Sequence, residues 1–371
     1  MHAPARLDKQ GHTSHRIASA GIMMRCTAAG NSSMRRRWRS MFAATSSSPL
    51  PEISPHFFEQ TRSVSSFCHP VSRYQKKNSD CCENIKCYQQ ILFANVHNAA
   101  DSKTTSEDSH IVLTKLDGDN DGVAKLILNR PSAANAMGRK MLDELQSAIV
   151  HLTDHETNVR CVVLSSATDK VFSAGADLRE RSTMTQDEAA EFVASLRGTF
   201  DSLANLPMPV ISAIEGVAVG GGLEIALTSD IIVAGENAKF GLPETSLAII
   251  PGAGGTQRLP RLIGVARSKE LIFSARRIDA ETAHEYGLVQ HVVPAGKAQR
   301  KALEIAKEIA SNGPLAIRAA KSAILQGMDA ASLTEAMEIE RKYYQTIIPT
   351  EDRLEGLAAF REKRKPEYKG A

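Results

Sequence analysis

Cysteine is nearly missing from most of this 371-residue chain: Cys26, Cys68, Cys81, Cys82 and Cys87 lie in the first hundred residues, and only Cys161 lies beyond them. A disulfide framework is therefore excluded from residues 101–371. The trio Cys81, Cys82 and Cys87 is followed by no second Cys/His pair at zinc-site spacing. His151 and His155 share a helix face without the residues of a zinc-protease motif between them, so they read as solvated and no metal is expected. Long uncharged apolar runs are also lacking. Residues 209–227 are interrupted by Glu215 and Glu224 and fall short of the ~20 apolar residues of a membrane span, so a soluble protein is expected. No GxGxxG follows a strand, and PGAGGTQR from Pro251 lacks the Gly-Lys-Ser/Thr ending of a phosphate loop. Nicotinamide and nucleoside triphosphate sites are not expected, nor is a cofactor.

Acidic residues are scarce at the start. Before Glu52 only Asp8 is acidic, while Arg16, Arg25, Arg35, Arg36, Arg37 and Arg39 recur among Ser, Ala, Met and Thr. This is transit-peptide composition over residues 1–50, pointing to the mitochondrial matrix, with a plastid address as the competitor and a disordered basic arm as the plain alternative. Residues 51–109 are polar and aperiodic and read as disordered presequence or linker. The first hundred residues carry 13 Lys/Arg against 5 Asp/Glu, leaving 32 against 37 for the rest. The folded part is mildly acidic, which disfavours nucleic acid as the main partner.

Order is expected from about residue 110, giving one domain over 110–371. Alternating apolar runs at 110–116 and 123–128 flank DGDNDG and predict a hairpin. Met141, Leu142, Leu145, Ile149 and Leu152 recur at helical spacing, with Asn135 as a plausible cap. Strands at 159–164, 210–214 and 231–234 alternate with helices at 188–206 and 223–228, an α/β pattern. Beyond Leu259 the chain reads as mostly helical, with segments at 266–273, 280–285, 298–311, 315–326 and 333–345.

Chemistry concentrates in GVAVGGGLEIALTSD from Gly216, where three glycines lead into an apolar helix bearing Glu224. Glycine lets backbone approach a ligand, and the first N–H groups of a helix lack intrahelical partners, so they can hold an oxyanion. Glu224 can equally be an acid favoured at a helix N-terminus. A second carboxylate, Glu244 in KFGLPETSLAII, is also set among apolar residues, an environment that raises a carboxyl pKa towards that of a proton donor; as a loop acid it would be unremarkable. FSAGAD from Phe172 is a second small-residue turn able to offer a backbone N–H.

Together NRPSAANAM from Asn129, FSAGADL, PMPVISAIEGVAVGGGLEIALTSDI, KFGLPETSLAIIPGAGGTQRLPRLIG and DRLEGLAAFREKRKPEYKG resemble the enoyl-CoA hydratase/isomerase (crotonase) superfamily. The resemblance implies a spiral of ββα units closed by a helical C-terminal trimerisation region, assembling as a trimer or a hexamer. It implies backbone N–H donors at Ala176 and Gly221 for an oxyanion, and Glu224 and Glu244 as the pair that handles water and the α-proton of an enoyl-CoA thioester. It also implies coenzyme A contacts at Ala174, Ala176, Leu178 and Arg179, and at Phe360 and Lys363 from a neighbouring subunit. With both acids present the implied reaction is hydration, in fatty-acid or leucine breakdown; an isomerase or a non-catalytic RNA-associating member is the alternative. Several stretches look like the eukaryotic mitochondrial branch that includes methylglutaconyl-CoA hydratase. RNA-binding members of that branch carry a lysine-studded helix, whereas GRKMLDELQSAIVHL has Lys140 alone, so RNA is not expected.

Overall fold

Apolar alternation in residues 111–128 produces the expected hairpin: β1 (Ile111–Lys115) pairs antiparallel with β2 (Val123–Leu128), Ile111 opposite Leu128. The computed structural model describes residues 108–154 and 157–371, within one unit, Asp101–Ala371. The segments read as transit peptide and linker therefore lie outside the described residues, apart from 108 and 109, as do the cysteine trio and His155. Helix α1 (Arg139–Thr153) buries Met141, Leu142, Leu145, Ile149 and Leu152, the stripe its spacing predicts. Its cap differs from expectation. Gly138 occupies the N-cap, and Asn135, fully buried at φ 51°, is turned into a polar brace described below.

Three times in succession a strand is followed by a second, short strand and then by helix. β3 (Cys161–Ser166) leads to β4 (Val171–Ser173), then α2 (Leu178–Arg181) and α3 (Gln186–Ala204). β5 (Val210–Ile214) leads to β6 (Val217–Val219) and α4 (Gly221–Ala226). β7 (Ile231–Gly235) leads to β8 (Lys239–Gly241), a 3-10 turn at Pro243–Leu247, α5 (Gly255–Ile263) and α6 (Val265–Ser274). β9 (Arg277–Asp279), α7 (Ala280–Glu285) and β10 (His291–Val293) complete the strands. The first member of each pair extends a six-stranded sheet of order β1-β2-β3-β5-β7-β10; the second builds a four-stranded sheet of order β4-β6-β8-β9. Beyond the hairpin, pairing is parallel except between β8 and β9.

The large sheet is buried on both faces, as a parallel sheet with helices on each side must be. Successive residues of β3 alternate: Val162 and Leu164 face the main core with Phe172, Phe200 and Phe240, while Cys161 and Val163 face the other side. That far side is covered by α8 (Ala298–Ala310), whose Ala298, Ala302, Ala306 and Ala310 form a small-residue stripe at every fourth position. Alanines let the helix lie close to the sheet, and Glu215 at the end of β5 accepts the Ala298 N–H at 2.9 Å, tying down the helix start. α9 (Pro314–Met328), α10 (Leu333–Ile347) and α11 (Glu351–Glu362) follow, with Met328, Leu333, Tyr344 and Phe360 exposed along them. Lys321 anchors α9: its Nζ is buried, donating to Asp230 at 2.7 Å and to the Met208 carbonyl at 3.1 Å.

Candidate active site

The small sheet places the chemistry. β4, β6 and β8 are parallel neighbours, so their C-terminal ends open on the same side, where ligands of parallel sheets gather. Ala176 follows the end of β4, Gly221 follows β6, and Glu244 follows β8, each within three residues. Three residues distant in sequence thus converge by strand pairing alone.

Gly220 turns the chain into α4 at φ 54°, and Gly175 sits at φ 90° in the facing turn, both in the left-handed region that glycine occupies without strain. Packing between the turns leaves no room for side chains: a Cβ on Gly175 would lie 2.9 Å from Gly221 N, and one on Gly222 would lie 2.2 Å from the Ser173 carbonyl oxygen. A Cβ on Gly221 would stand 3.5 Å from Ala176 N, so the two amides are immediate neighbours. Among the described residues neither N–H is donated to a protein acceptor. Two adjacent free donors are what a developing oxyanion requires.

Residues 129–137 hold the first donor in place. Ala174 N–H donates to the Ala134 carbonyl, Met137 N–H to Gly175, and Asp177 N–H to Met137. Asn135 Nδ2 donates to the Phe172 carbonyl at 2.9 Å and to Ser166 Oγ at 2.8 Å, while its Oδ1 accepts the Arg130 N–H. Arg130 in turn donates to Asp177 at 2.7 Å, which holds the Asp177 carboxyl below its ordinary range while Asp177 caps α2. NRPSAANAM therefore serves as the clamp on the FSAGAD turn, a role that helix-cap reasoning about Asn135 missed.

Glu224 lies in the first turn of α4 and is only 3% exposed. Its Oε1 accepts two backbone N–H groups, from Ala253 and Gly255, both at 2.8 Å. Burial raises its pKa, opposed by these two bonds and by the positive charges of Arg258 and Arg197. Glu244, half-buried in the 3-10 turn, has less support: only its own backbone N–H acts to lower its pKa. Its Oε2 is shielded and has no hydrogen-bond partner among the described residues. Burial, reinforced by the Glu224 charge, pushes its pKa up to about 7. The two carboxyls are thus inequivalent: burial raises both, but two amides support Glu224 as a carboxylate, while Glu244 is poised to carry a proton.

Both carboxyls line an open cleft of about 1390 Å³, together with Ala174, Ala176, Leu178 and Gly221. Arg179 is exposed and lies outside this lining, whereas Arg181, two residues on, lies within it. Phe360, 87% exposed on α11, and Lys363, which ends that helix at φ 56°, line no part of their own chain's cleft. Sequence reasoning also passed over Val193, Arg197 and Asp201, which line the cleft at every fourth residue of α3 beside the core stripe Phe192, Leu196 and Phe200. Their helical spacing was the available signal.

Residues 118–371 match the family model described as enoyl-CoA hydratase/isomerase. Over 267 residues the chain is 50% identical to a probable mitochondrial enoyl-CoA hydratase 2 of Arabidopsis thaliana, covering 72% of this chain and 88% of the relative. Over 273 residues it is 46% identical to the mitochondrial methylglutaconyl-CoA hydratase of Homo sapiens, covering 72% and 80%. The crystal structure of an enoyl-CoA hydratase from Bacillus anthracis superposes with a TM-score of 0.68 at 49% identity, spanning 71% of this chain and all of that one. The ββα architecture is the crotonase fold, and the chain belongs to the enoyl-CoA hydratase/isomerase family.

Proposed function

We propose that this protein adds water across the 2,3 double bond of an enoyl-CoA thioester. The reading is carried by one observation: two inequivalent glutamates line the same cleft as two residues, Ala176 and Gly221, whose backbone N–H groups have no protein acceptor among the described residues. Glu224, supported as a carboxylate by two amides, takes a proton from water as the water oxygen bonds to the β-carbon. The double-bond electrons move towards the thioester, and the negative charge on its oxygen is held by the N–H groups of Ala176 and Gly221. Glu244 gives its proton to the α-carbon, and the enolate collapses to the 3-hydroxyacyl thioester. In this reading both carboxyls act on one face of the double bond, so addition is syn. A proton passed from Glu224 to Glu244 through solvent restores the starting state. Each group is expected to contribute roughly 10²–10⁴-fold.

The names of the plant and animal relatives favour a mitochondrial hydratase, in keeping with the arginine-rich, acid-poor residues 1–50, and the family resemblance adds leucine or fatty-acid breakdown as the pathway of this reading. A catalytic domain over residues 110–371 and a trimer or hexamer formed through the apolar residues of α9 to α11, with Phe360 and Lys363 reaching a neighbour's coenzyme A, complete the reading. The test is steady-state turnover of crotonyl-CoA and 3-methylglutaconyl-CoA, followed by loss of enoyl thioester absorbance, with wild type beside Glu224→Gln and Glu244→Gln. Turnover of one substrate with each variant reduced at least a hundredfold is expected. A wild type inert on both, but able to shift the double bond of a 3-enoyl-CoA, overturns hydration in favour of isomerisation.

A further inference from the structure

Glu224 is held by a loop, and the loop is held by arginine. Ala253 N–H, donated to Glu224 Oε1, belongs to the same planar peptide unit as the Gly252 carbonyl. That carbonyl accepts two bonds from one guanidinium, Arg197 Nε at 3.1 Å and Nη2 at 2.9 Å. A fork gripping one oxygen fixes the tilt of the peptide plane, and therefore the direction in which its N–H points. We propose that Arg197 is a positioning residue for Glu224, acting through the peptide that joins Gly252 to Ala253.

Its neighbour Arg258 is placed differently. Arg258 donates to the Ala253 carbonyl at 3.1 Å, but its other nitrogen is paired with Asp201 at 2.5 Å, which offsets its charge. Arg197 pairs with no carboxylate among the described residues; its charge adds to the larger influence of Arg258 on Glu224, and what sets it apart is its grip on the Gly252 carbonyl. The charged groups that act on Glu224 are Arg258 from α5 and Arg197 from α3, with Glu244 from the 3-10 turn coupled to it and Asp201 entering through its pair with Arg258. α3 brings Arg197 to the loop because Val193, Arg197 and Asp201 share a helix face, and Val193 is so close to Gly252 that a Cβ there would meet its Cγ1 at 3.0 Å. The arginine polarises the peptide as well as orienting it, strengthening the N–H that stabilises the Glu224 carboxylate.

The inference rests on Glu224 being the base, and its test separates the two. Arg197→Met and Arg197→Lys are compared with wild type and with Arg300→Met, an exposed charge on α8, in the pH dependence of kcat/KM and in the pH dependence of the Glu224 carboxylate infrared band. That band is assigned by its loss in Glu224→Gln, so it needs no turnover. Loss of the positive charge raises the pKa of the carboxylate. Arg197→Met should move the band midpoint and the acid limb upward by about 0.5–1 unit and lower kcat about tenfold with KM little changed. Arg197→Lys, which keeps charge but not the fork, should recover part of the shift, and Arg300→Met none. An unmoved band midpoint in Arg197→Met overturns the inference whatever the activity, while hydration and the base role of Glu224 stand if Glu224→Gln is still inactive. A rise in KM confined to 3-methylglutaconyl-CoA, with both pH profiles unmoved, makes Arg197 a substrate contact instead and also overturns it.

Discussion

The two sheets divide the work of the molecule. The six-stranded sheet has strands of five or six residues apart from β10, and its central strands β3, β5 and β7, packed on both faces, read as near-continuous apolar runs. The four-stranded sheet is built from strands of three residues each, yet it carries Ala176, Gly221, Glu224 and Glu244 on the turns at its open end. Stability resides mainly in the first and chemistry in the second. A catalytic geometry can thus rest on strands too short to persist alone, because β4, β6 and β8, which carry it, each continue a long strand of the large sheet.

That division can be broken at several points. Glycine at 221 is the severest on the chemical side: Gly221→Ala puts a methyl group beside Ala176 N and should lower kcat about 10²–10³-fold with the melting temperature little changed, read by turnover and thermal unfolding together. On the structural side, Leu164→Ala opens a cavity in the main core and should cost roughly 2–5 kcal/mol in chemical denaturation while folded enzyme keeps its kcat. Lys321→Ala leaves Asp230 without its buried cation and should destabilise by about 3 kcal/mol, again without a change in kcat. If Leu164→Ala or Lys321→Ala reduced kcat as strongly as stability, the two sheets would not be separable.

The smallest effect is a pH dependence confined to the site. Glu244 has its folded pKa raised from 4.5 to about 7, so the folded state holds a proton there that the unfolded chain releases. Its contribution to stability is complete below about pH 4.5 and is lost as pH rises through 7. kcat for hydration should fall over the upper part of the same range, as the proton donor ionises. Glu244→Gln should remove that part of the stability slope, measured by denaturation at a series of pH values.

The long elements were legible from the chain because burial on one or two faces writes a period into the sequence. The hairpin, α1, β3, α3, β5, β7 and the helices from α6 to α10 lie within a few residues of where periodicity places them. The second sheet was not legible as a sheet: a three-residue strand shows too few alternations to register, and its partners are fixed by pairing across the fold. The helix α11 was unread for a related reason, since EDRLEGLAAFRE has no sustained apolar stripe. Both glutamates and both small-residue turns were visible as residue types, but their convergence was not. Asn135 misled because an Asn before a helix suggests a cap, whereas its side chain satisfies buried groups in the neighbouring turn. Arg197 went unnoticed because an exposed arginine on a helix usually has no task, and only its distance to Gly252 shows otherwise.

The assignment of separate tasks to the two carboxyls is tested most directly by hydrogen exchange at the α-carbon of butyryl-CoA in D₂O. A saturated thioester offers an α-proton but no double bond to hydrate, so exchange requires Glu244 and the two N–H groups and not Glu224. Wild type and Glu224→Gln should both exchange, with Glu244→Gln reduced at least a hundredfold. Exchange lost in Glu224→Gln and retained in Glu244→Gln would contradict the assignment and reverse the two roles.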